Sequence, residues 1–243
     1  MTPEEFKQAL AKQGINLTDK QMDQFQQYYQ QLIAANKQVN LTRITEKRDV
    51  YLKHFYDSLT GAFAYAPLKT EKLSLVDIGA GAGFPSLPLK LAFPQLKITI
   101  VDSLNKRLNF LRDLISNLNL NNVDLVHARA EDFSKHGSQY RQQFDVATGR
   151  AVARMSVLAE YCLSTVKVGG VFLAYKAAAA EDELQDAEAA INKLGGHYQK
   201  TVTLELPTQP VAEQRNLILI DKVKDTPSQY PRRAGTPAKK PLH

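Results

Sequence analysis

The chain of 243 residues holds a single cysteine, which excludes an internal disulfide. That residue, Cys162, falls at helical spacing with Met155, Leu158 and Ala159, the setting of a buried thiol rather than of a nucleophile. No apolar run approaches the ~20 residues that a membrane-crossing helix needs. The opening MTPEEFKQAL is acidic and polar, unlike a secretory signal. The expectation is therefore a cytoplasmic protein with no membrane partner. No nucleophile–base pair stands out, no metal site is expected, and the first 65 or so residues lack any strand pattern. What is present is ordinary for a globular enzyme: 44% hydrophobic and 23% charged residues, enough for a sizeable core. A formal charge of +6 and a pI near 9.2 are compatible with a nucleic-acid partner but are shared with many unrelated enzymes.

The most informative stretch is KLSLVDIGAGAGFPSLPLKL, from Lys72 to Leu91. Leu73, Leu75, Val76 and Ile78 read as a buried strand. Gly79, Gly81 and Gly83 follow, a density that lets backbone approach a ligand closely. Pro85 suits the first turn of a helix, whose amides would point back into the loop as a cradle for a polar group. The dinucleotide fingerprint would require a third glycine where Phe84 stands. Asp77, at the strand end, is also wrong for a pyrophosphate and right for a ligand bearing a sulfonium and an ammonium. This favours S-adenosylmethionine; an NAD-dependent oxidoreductase is the alternative. A second alternating strand, Leu96 to Val101, stops at Asp102, close to the spacing of roughly 20 residues expected of an acid that grips ribose hydroxyls. Asp102 also reads as a cap for the next helix, a role Ser103 can take instead.

Residues 1–65 read as a helical cap. Thr2 to Glu5 and Thr18 to Gln21 are capping boxes, and Met22, Phe25, Tyr29, Leu32 and Ile33 keep one apolar face on a long helix fraying near Asn36. A third helix carries Val50, Leu52, His54, Phe55, Asp57, Ser58 and Leu59. Residues 66–224 alternate strand and helix: Val123 to Val126, Phe144 to Thr148 and Val171 to Tyr175 read as further strands, the last preceded by a Gly169-Gly170 turn. Tyr198 to Leu206 and Asn216 to Val223 then read as strands without a helix between them, hence antiparallel neighbours. A mostly parallel sheet of seven strands ending so, with an N-terminal helical extension, is an α/β class I (Rossmann-like) methyltransferase architecture. Ligands sit at the carboxyl ends of such strands, where Asp77, Asp102, Glu131 and Arg150 fall. Residues 225–243 form a proline-rich tail bearing Arg232, Arg233, Lys239 and Lys240, either a solvated end or a basic arm for phosphate backbone.

The segments VDIGAGAGFPSLPLK, DSLNKRLNFL, GRAVA, NLT followed by KHFYDS, and YPRRAGTPAKKPL closely resemble the bacterial 16S ribosomal RNA guanine-N7 methyltransferase family, also called glucose-inhibited division protein B. The resemblance spans nearly the whole chain. It implies S-adenosylmethionine as cofactor, 16S ribosomal RNA or the small ribosomal subunit as partner, and methylation at N7 of one guanine in the 530-loop region. It implies that Gly79 and Phe84 line the cofactor, and that Asp102, Ser103 and Leu104 hold its ribose and adenine edge. Ala130 and Glu131 would meet the adenine, and Arg150 the methionine end or the RNA. Lys106, Arg107 and Arg154 would flank the mouth. Gly149 stands where serine is common, and His54, Asp57 and Ser58 match the family without a derivable role. Guanine N7 loses no proton on attack, so alignment alone suffices and no catalytic residue is assigned. Another RNA, a protein or a small molecule as methyl acceptor, and a non-catalytic RNA-binding protein, are the alternative readings.

Overall fold

The computed structural model describes residues 1–177, 180–208 and 210–242; His243, the last residue of the basic tail, lies outside them. Two helices open the chain, α1 (Pro3–Lys12) and α2 (Asp19–Val39), and both begin with the expected capping boxes. α2 does not fray at Asn36. The Asn36 side chain instead bonds both the amide (2.8 Å) and the carbonyl (2.9 Å) of Thr42, and the helix runs on to a left-handed cap at Asn40. The third helix is one continuous run of α3 (Lys47–Asp49), a π-helical segment (Val50–Tyr56) and α4 (Asp57–Leu59). Short turns α5 (Gly61–Ala64) and α6 (Pro67–Thr70) lead to the sheet.

The alternating part comprises β1 (Ser74–Ile78), α7 (Ser86–Ala92), β2 (Lys97–Asp102), α8 (Asn105–Asn117), β3 (Val123–His127), α9 (Ala130–Phe133), β4 (Phe144–Arg150), α10 (Met155–Leu163), β5 (Val166–Lys176), α11 (Ala180–Lys193), β6 (Gly196–Leu206) and β7 (Glu213–Lys222). The seven strands lie in the order β3-β2-β1-β4-β5-β7-β6. β7 slots between β5 and β6, antiparallel to both, while β1 to β5 pair in parallel. The parallel order reverses direction between β1 and β4, which places a crevice at their carboxyl ends. Three local readings change. Pro85 sits one residue before α7 rather than inside it. Ser103 does not cap α8: the cap position falls to Leu104, without a side-chain bond, and Asp102 takes the Leu104 amide at 2.8 Å. Gly169-Gly170 is an irregularity inside β5, which starts at Val166, not a turn before it.

Side chains alternate across the strands, so the sheet has two apolar faces. Leu75, Ile98, Ile100, Val146 and Leu173 face one cluster, together with Phe6, Phe25, Tyr28, Tyr51 and Phe55 of the N-terminal helices. Those helices thus share a core with the sheet. Val76, Val101, Ala147, Phe172 and Ile220 face the other cluster, against α10 and α11.

The tail packs on this second face, and the reading of a solvated end is corrected. Tyr230, Pro237 and Leu242 are buried, Pro237 in a last short helix, α12 (Thr236–Lys239). The Arg141 guanidinium donates to the carbonyls of Thr226 (2.6 Å), Tyr230 (2.5 Å) and Ser134 (3.1 Å). Lys222, whose ammonium burial pushes down to about 7, donates to the carbonyls of Leu163 and Leu194 and to the Thr226 hydroxyl. Arg232 turns inward onto the fully buried Glu160, with Nε at 3.0 Å and Nη2 at 2.7 Å, so its expected role as a phosphate contact is corrected too. Removing that guanidinium strands a buried carboxylate. Arg232→Met should lower the unfolding free energy by about 3–5 kcal/mol, measured by urea denaturation; a change within error would show that Glu160 finds water.

Candidate active site

Four strand ends meet at the crevice. On β1, Asp77 is fully buried, and its Oδ2 accepts the Ser86 amide at 3.1 Å where α7 begins. Its Oδ1 and the Ser86 hydroxyl have no protein partner. Burial pushes the Asp77 carboxyl up to about 7, against a smaller opposing pull from Ser86 and Arg150. Gly79 follows at φ +73°, its amide donating to Val101 at 2.7 Å. A Cβ on Gly79 would come within 3.0 Å of Val152, so the loop after β4 lies directly over this turn. On β2, Asp102 is 3% exposed and receives three donors: the Gly81 amide at 3.1 Å, the Leu104 amide at 2.8 Å and Arg107 Nη1 at 3.3 Å. One carboxylate thereby ties the glycine loop to the turn after β2. Ser103 and Leu104 follow, both exposed.

Past β3, Glu131 on α9 is buried; its Oε1 accepts the Gly235 amide at 2.7 Å and the Tyr161 hydroxyl at 3.3 Å. The tail is therefore a wall of the crevice. Gly79, Asp102, Ala130, Glu131, Val152 and Gly235 line a cavity of about 360 Å³, within the roughly 300–1,000 Å³ usual for small-ligand sites. A larger cavity of about 500 Å³ follows α11 and the start of β6, away from the residues assembled here.

Arg150, at the end of β4, turns toward the π-helical segment rather than into this cavity. Its Nη1 donates to Asp57 Oδ2 at 2.8 Å and to the Lys53 carbonyl at 3.3 Å, and the guanidinium lies 5.2 Å from the Phe84 ring centre. Phe84 also faces away from the cavity lining. Tyr28 stacks against it at 5.5 Å and the His54 ring at 4.4 Å. Arg150 Nη2 is 3.4 Å from His54 Nδ1, which leaves the Nε2 hydrogen to be donated to the Thr42 hydroxyl at 2.7 Å. Burial, helped by the Arg150 charge, pushes His54 down to about 3, so the ring is neutral.

A second cavity, of about 350 Å³, opens on the other side of Ala151. Of its residues the sequence singled out Arg150, and His54 and Asp57 without a role; Arg215, Tyr175 and Lys53 were not singled out. Arg215 Nε stands 3.2 Å from Asp57 Oδ1, in ion-pair range but outside hydrogen-bond geometry. KHFYDS was the available signal, but a 3.6-residue period does not describe the π-helical turns that bring its polar side chains together. Of the basic residues proposed for RNA, Lys106, Arg154, Arg233, Lys239 and Lys240 are exposed. Arg107 is committed to Asp102, and Gly149 has no room for the family's serine, since a Cβ would meet Leu158 at 2.8 Å.

The first cavity collects carboxylates, with Asp102 and Glu131 in its wall and Asp77 buried behind the glycine turn. Arg107 and Arg129 share that wall, so it is balanced in charge; what it offers a ligand is the buried Asp102 as acceptor for a diol, with Asp77 behind the turn for a cationic group. S-adenosylmethionine fits these residues.

Comparison with known proteins agrees. A protein-family model described as rRNA small subunit methyltransferase G matches residues 21–218. A ribosomal RNA small subunit methyltransferase G from Limosilactobacillus fermentum is 65% identical over 242 residues, covering 100% of this chain and 99% of the relative. Those from Limosilactobacillus reuteri (63%, full coverage of both) and Lactiplantibacillus plantarum (54%, 100% and 98%) are similar over the same length. Among solved structures, M. jannaschii TYW2 in complex with AdoMet shares the fold, with a TM-score of 0.53 and 15% identity over 69% of this chain and 77% of that one. P. horikoshii TYW2 in complex with MeSAdo gives 0.54 and 17% over 70% and 63%.

The buried Asp77 has a consequence for pH. Its folded value is raised, so its contribution to stability is fully present below about pH 4 and is lost as pH rises through about 7. Unfolding free energy should fall between pH 5 and pH 8 in the parent relative to Asp77→Asn, by urea denaturation at each pH. Parallel profiles would show that Asp77 is solvated in solution.

Proposed function

Because the chain belongs to the rRNA small subunit methyltransferase G family, we propose that it methylates N7 of one guanine of 16S ribosomal RNA, in the 530-loop region. It is an S-adenosylmethionine-dependent methyltransferase of small-subunit ribosomal RNA. The observation that carries the cofactor reading is the buried Asp102 carboxylate, which takes the Gly81 amide and so puts an anion where a pyrophosphate would lie. Asp102 would hold the ribose diol, with Ser103, Leu104, Ala130 and Glu131 around the adenine. The buried Asp77 beneath Gly79, Gly81 and Gly83 favours a cationic methionine end. Phe84, sandwiched by Tyr28 and His54, stiffens the loop from behind.

When bound, the cofactor supplies an electrophilic methyl group whose bonding pair stays with sulfur. Guanine N7 offers an in-plane lone pair and no proton, so the chain has only to orient and exclude water. His54, the histidine beside the site, is far too weak a base at neutral pH to do more. On the outer surface, Lys106, Arg154, Arg233, Lys239 and Lys240 supply charge for phosphates, which makes the affinity for RNA salt-dependent. Arg150 lines the second cavity, and its charge is partly neutralised by Asp57. The soluble acceptor is 16S ribosomal RNA or the assembled subunit.

The experiment is to incubate the protein with methyl-labelled cofactor and small subunits and map the product. N7-methylguanine yields to borohydride reduction and aniline cleavage; a labelled product resistant to that cleavage would contradict N7. Asp102→Ala should weaken cofactor binding in calorimetry by about 1.5–3 kcal/mol for each charge-assisted bond lost. Unchanged affinity in a folded variant would place the ribose elsewhere.

A further inference from the structure

The cavity beyond Ala151 lies apart from Asp102 and Glu131, yet it shares Ala151 as a wall with the cavity they line. Its floor carries a carboxylate, Asp57, only 4% exposed. Asp57 Oδ2 is taken by Arg150, but Oδ1 accepts no hydrogen bond, although Arg215 lies in ion-pair range of it. A buried anionic oxygen without a donor is costly unless a ligand supplies one. The donors that would satisfy it belong to a planar group that also presents an acceptor, for the arginines that flank Asp57.

We propose that this second cavity seats the target guanine, flipped out of its helix, with Asp57 accepting from its N1–H and 2-amino group. This rests on the methyl-transfer reading above and deepens it. Guanine offers two donors side by side on that edge, next to the O6 acceptor, and adenine offers an acceptor at N1. A carboxylate between arginines therefore selects guanine. The assignment also explains how N7 remains free. N7 lies on the ring edge opposite N1 and the 2-amino group, so a base gripped at Asp57 turns N7 away from it. Ala151 lines both cavities, so the two adjoin there, and N7 would approach the methyl group at that junction. An enzyme that works on a base within folded RNA must extract it, since the deep groove of an RNA helix hides N7. The cavity, at about 350 Å³, is in the range of small-ligand sites.

The test asks whether Asp57 and the 2-amino group act on each other. Small subunits are reconstituted with 16S ribosomal RNA carrying guanosine, or inosine without the 2-amino group, at the methylated position. The parent protein should prefer guanosine by about tenfold or more in kcat/KM. In Asp57→Asn the preference should shrink to within about twofold of unity, while cofactor affinity in calorimetry is unchanged. A purely structural Asp57 lowers both substrates alike and keeps the preference; that result overturns the assignment. Ala177→Phe, which fills the cavity from its rim without touching the charges, should keep cofactor affinity and abolish transfer to both substrates; undiminished transfer overturns the assignment equally. If the parent methylates neither subunit, the functional reading fails and this one with it.

Discussion

The position of one aromatic ring organises the site. Phe84 ends the glycine loop, and the N-terminal helices hold it: Tyr28 of α2 stacks on it, and His54 of the π-helical segment stacks within 4.4 Å of it. Tyr28 also donates its hydroxyl to the Ala82 carbonyl at 2.5 Å, and a Cβ on Gly83 would meet that same hydroxyl at 2.8 Å. The loop can pass this point only as glycine, and only with the helices in place. A glycine-rich turn standing alone would lose the most entropy on ordering. Here that cost is offset by an aromatic cluster that the helical layer completes, so the helices shape the loop as well as covering one face of the sheet.

From that fixed loop the electrostatics follow. Asp77 is fully buried with one oxygen free of partners, a state that disfavours its charge until a cation arrives. Asp102 spends its oxygens on the loop, the α8 turn and Arg107, which makes it a rigid acceptor rather than a mobile one. Arg150 is drawn to the opposite side by Asp57, and Ala151, in the loop after β4, lies between a chamber built on Asp102 and Glu131 and one built on Asp57. The same chain order that reverses between β1 and β4 puts both chambers at the strand ends.

The strands, the glycine loop, Asp77 and Asp102 were legible because each announces itself locally, by period, by φ or by spacing. The inserted position of β7 and the extra residues at the start of β5 depend on pairing across the sheet, which a single strand's pattern does not carry. Glu131 was read as a ligand contact from the family resemblance and Arg232 as an RNA contact from the basic tail; neither reading carried their links within the chain. In space they anchor the tail, Glu131 through the Gly235 amide and Arg232 through Glu160, more than seventy residues away in each case. Asp57 and Arg215 meet from opposite ends of the chain, and a π-helical turn is invisible to a period of 3.6.

If the helical layer sets the glycine loop, loosening one contact between them must loosen the cofactor site. Tyr28→Phe keeps the ring and its stacking and removes only the hydroxyl bond to Ala82. Amide hydrogen exchange over residues 79–84, followed together with S-adenosylmethionine affinity by calorimetry, should show faster exchange of the loop and an affinity loss of about 0.5–1.5 kcal/mol. Exchange and affinity matching the parent protein would contradict the account and leave the helices as a cover.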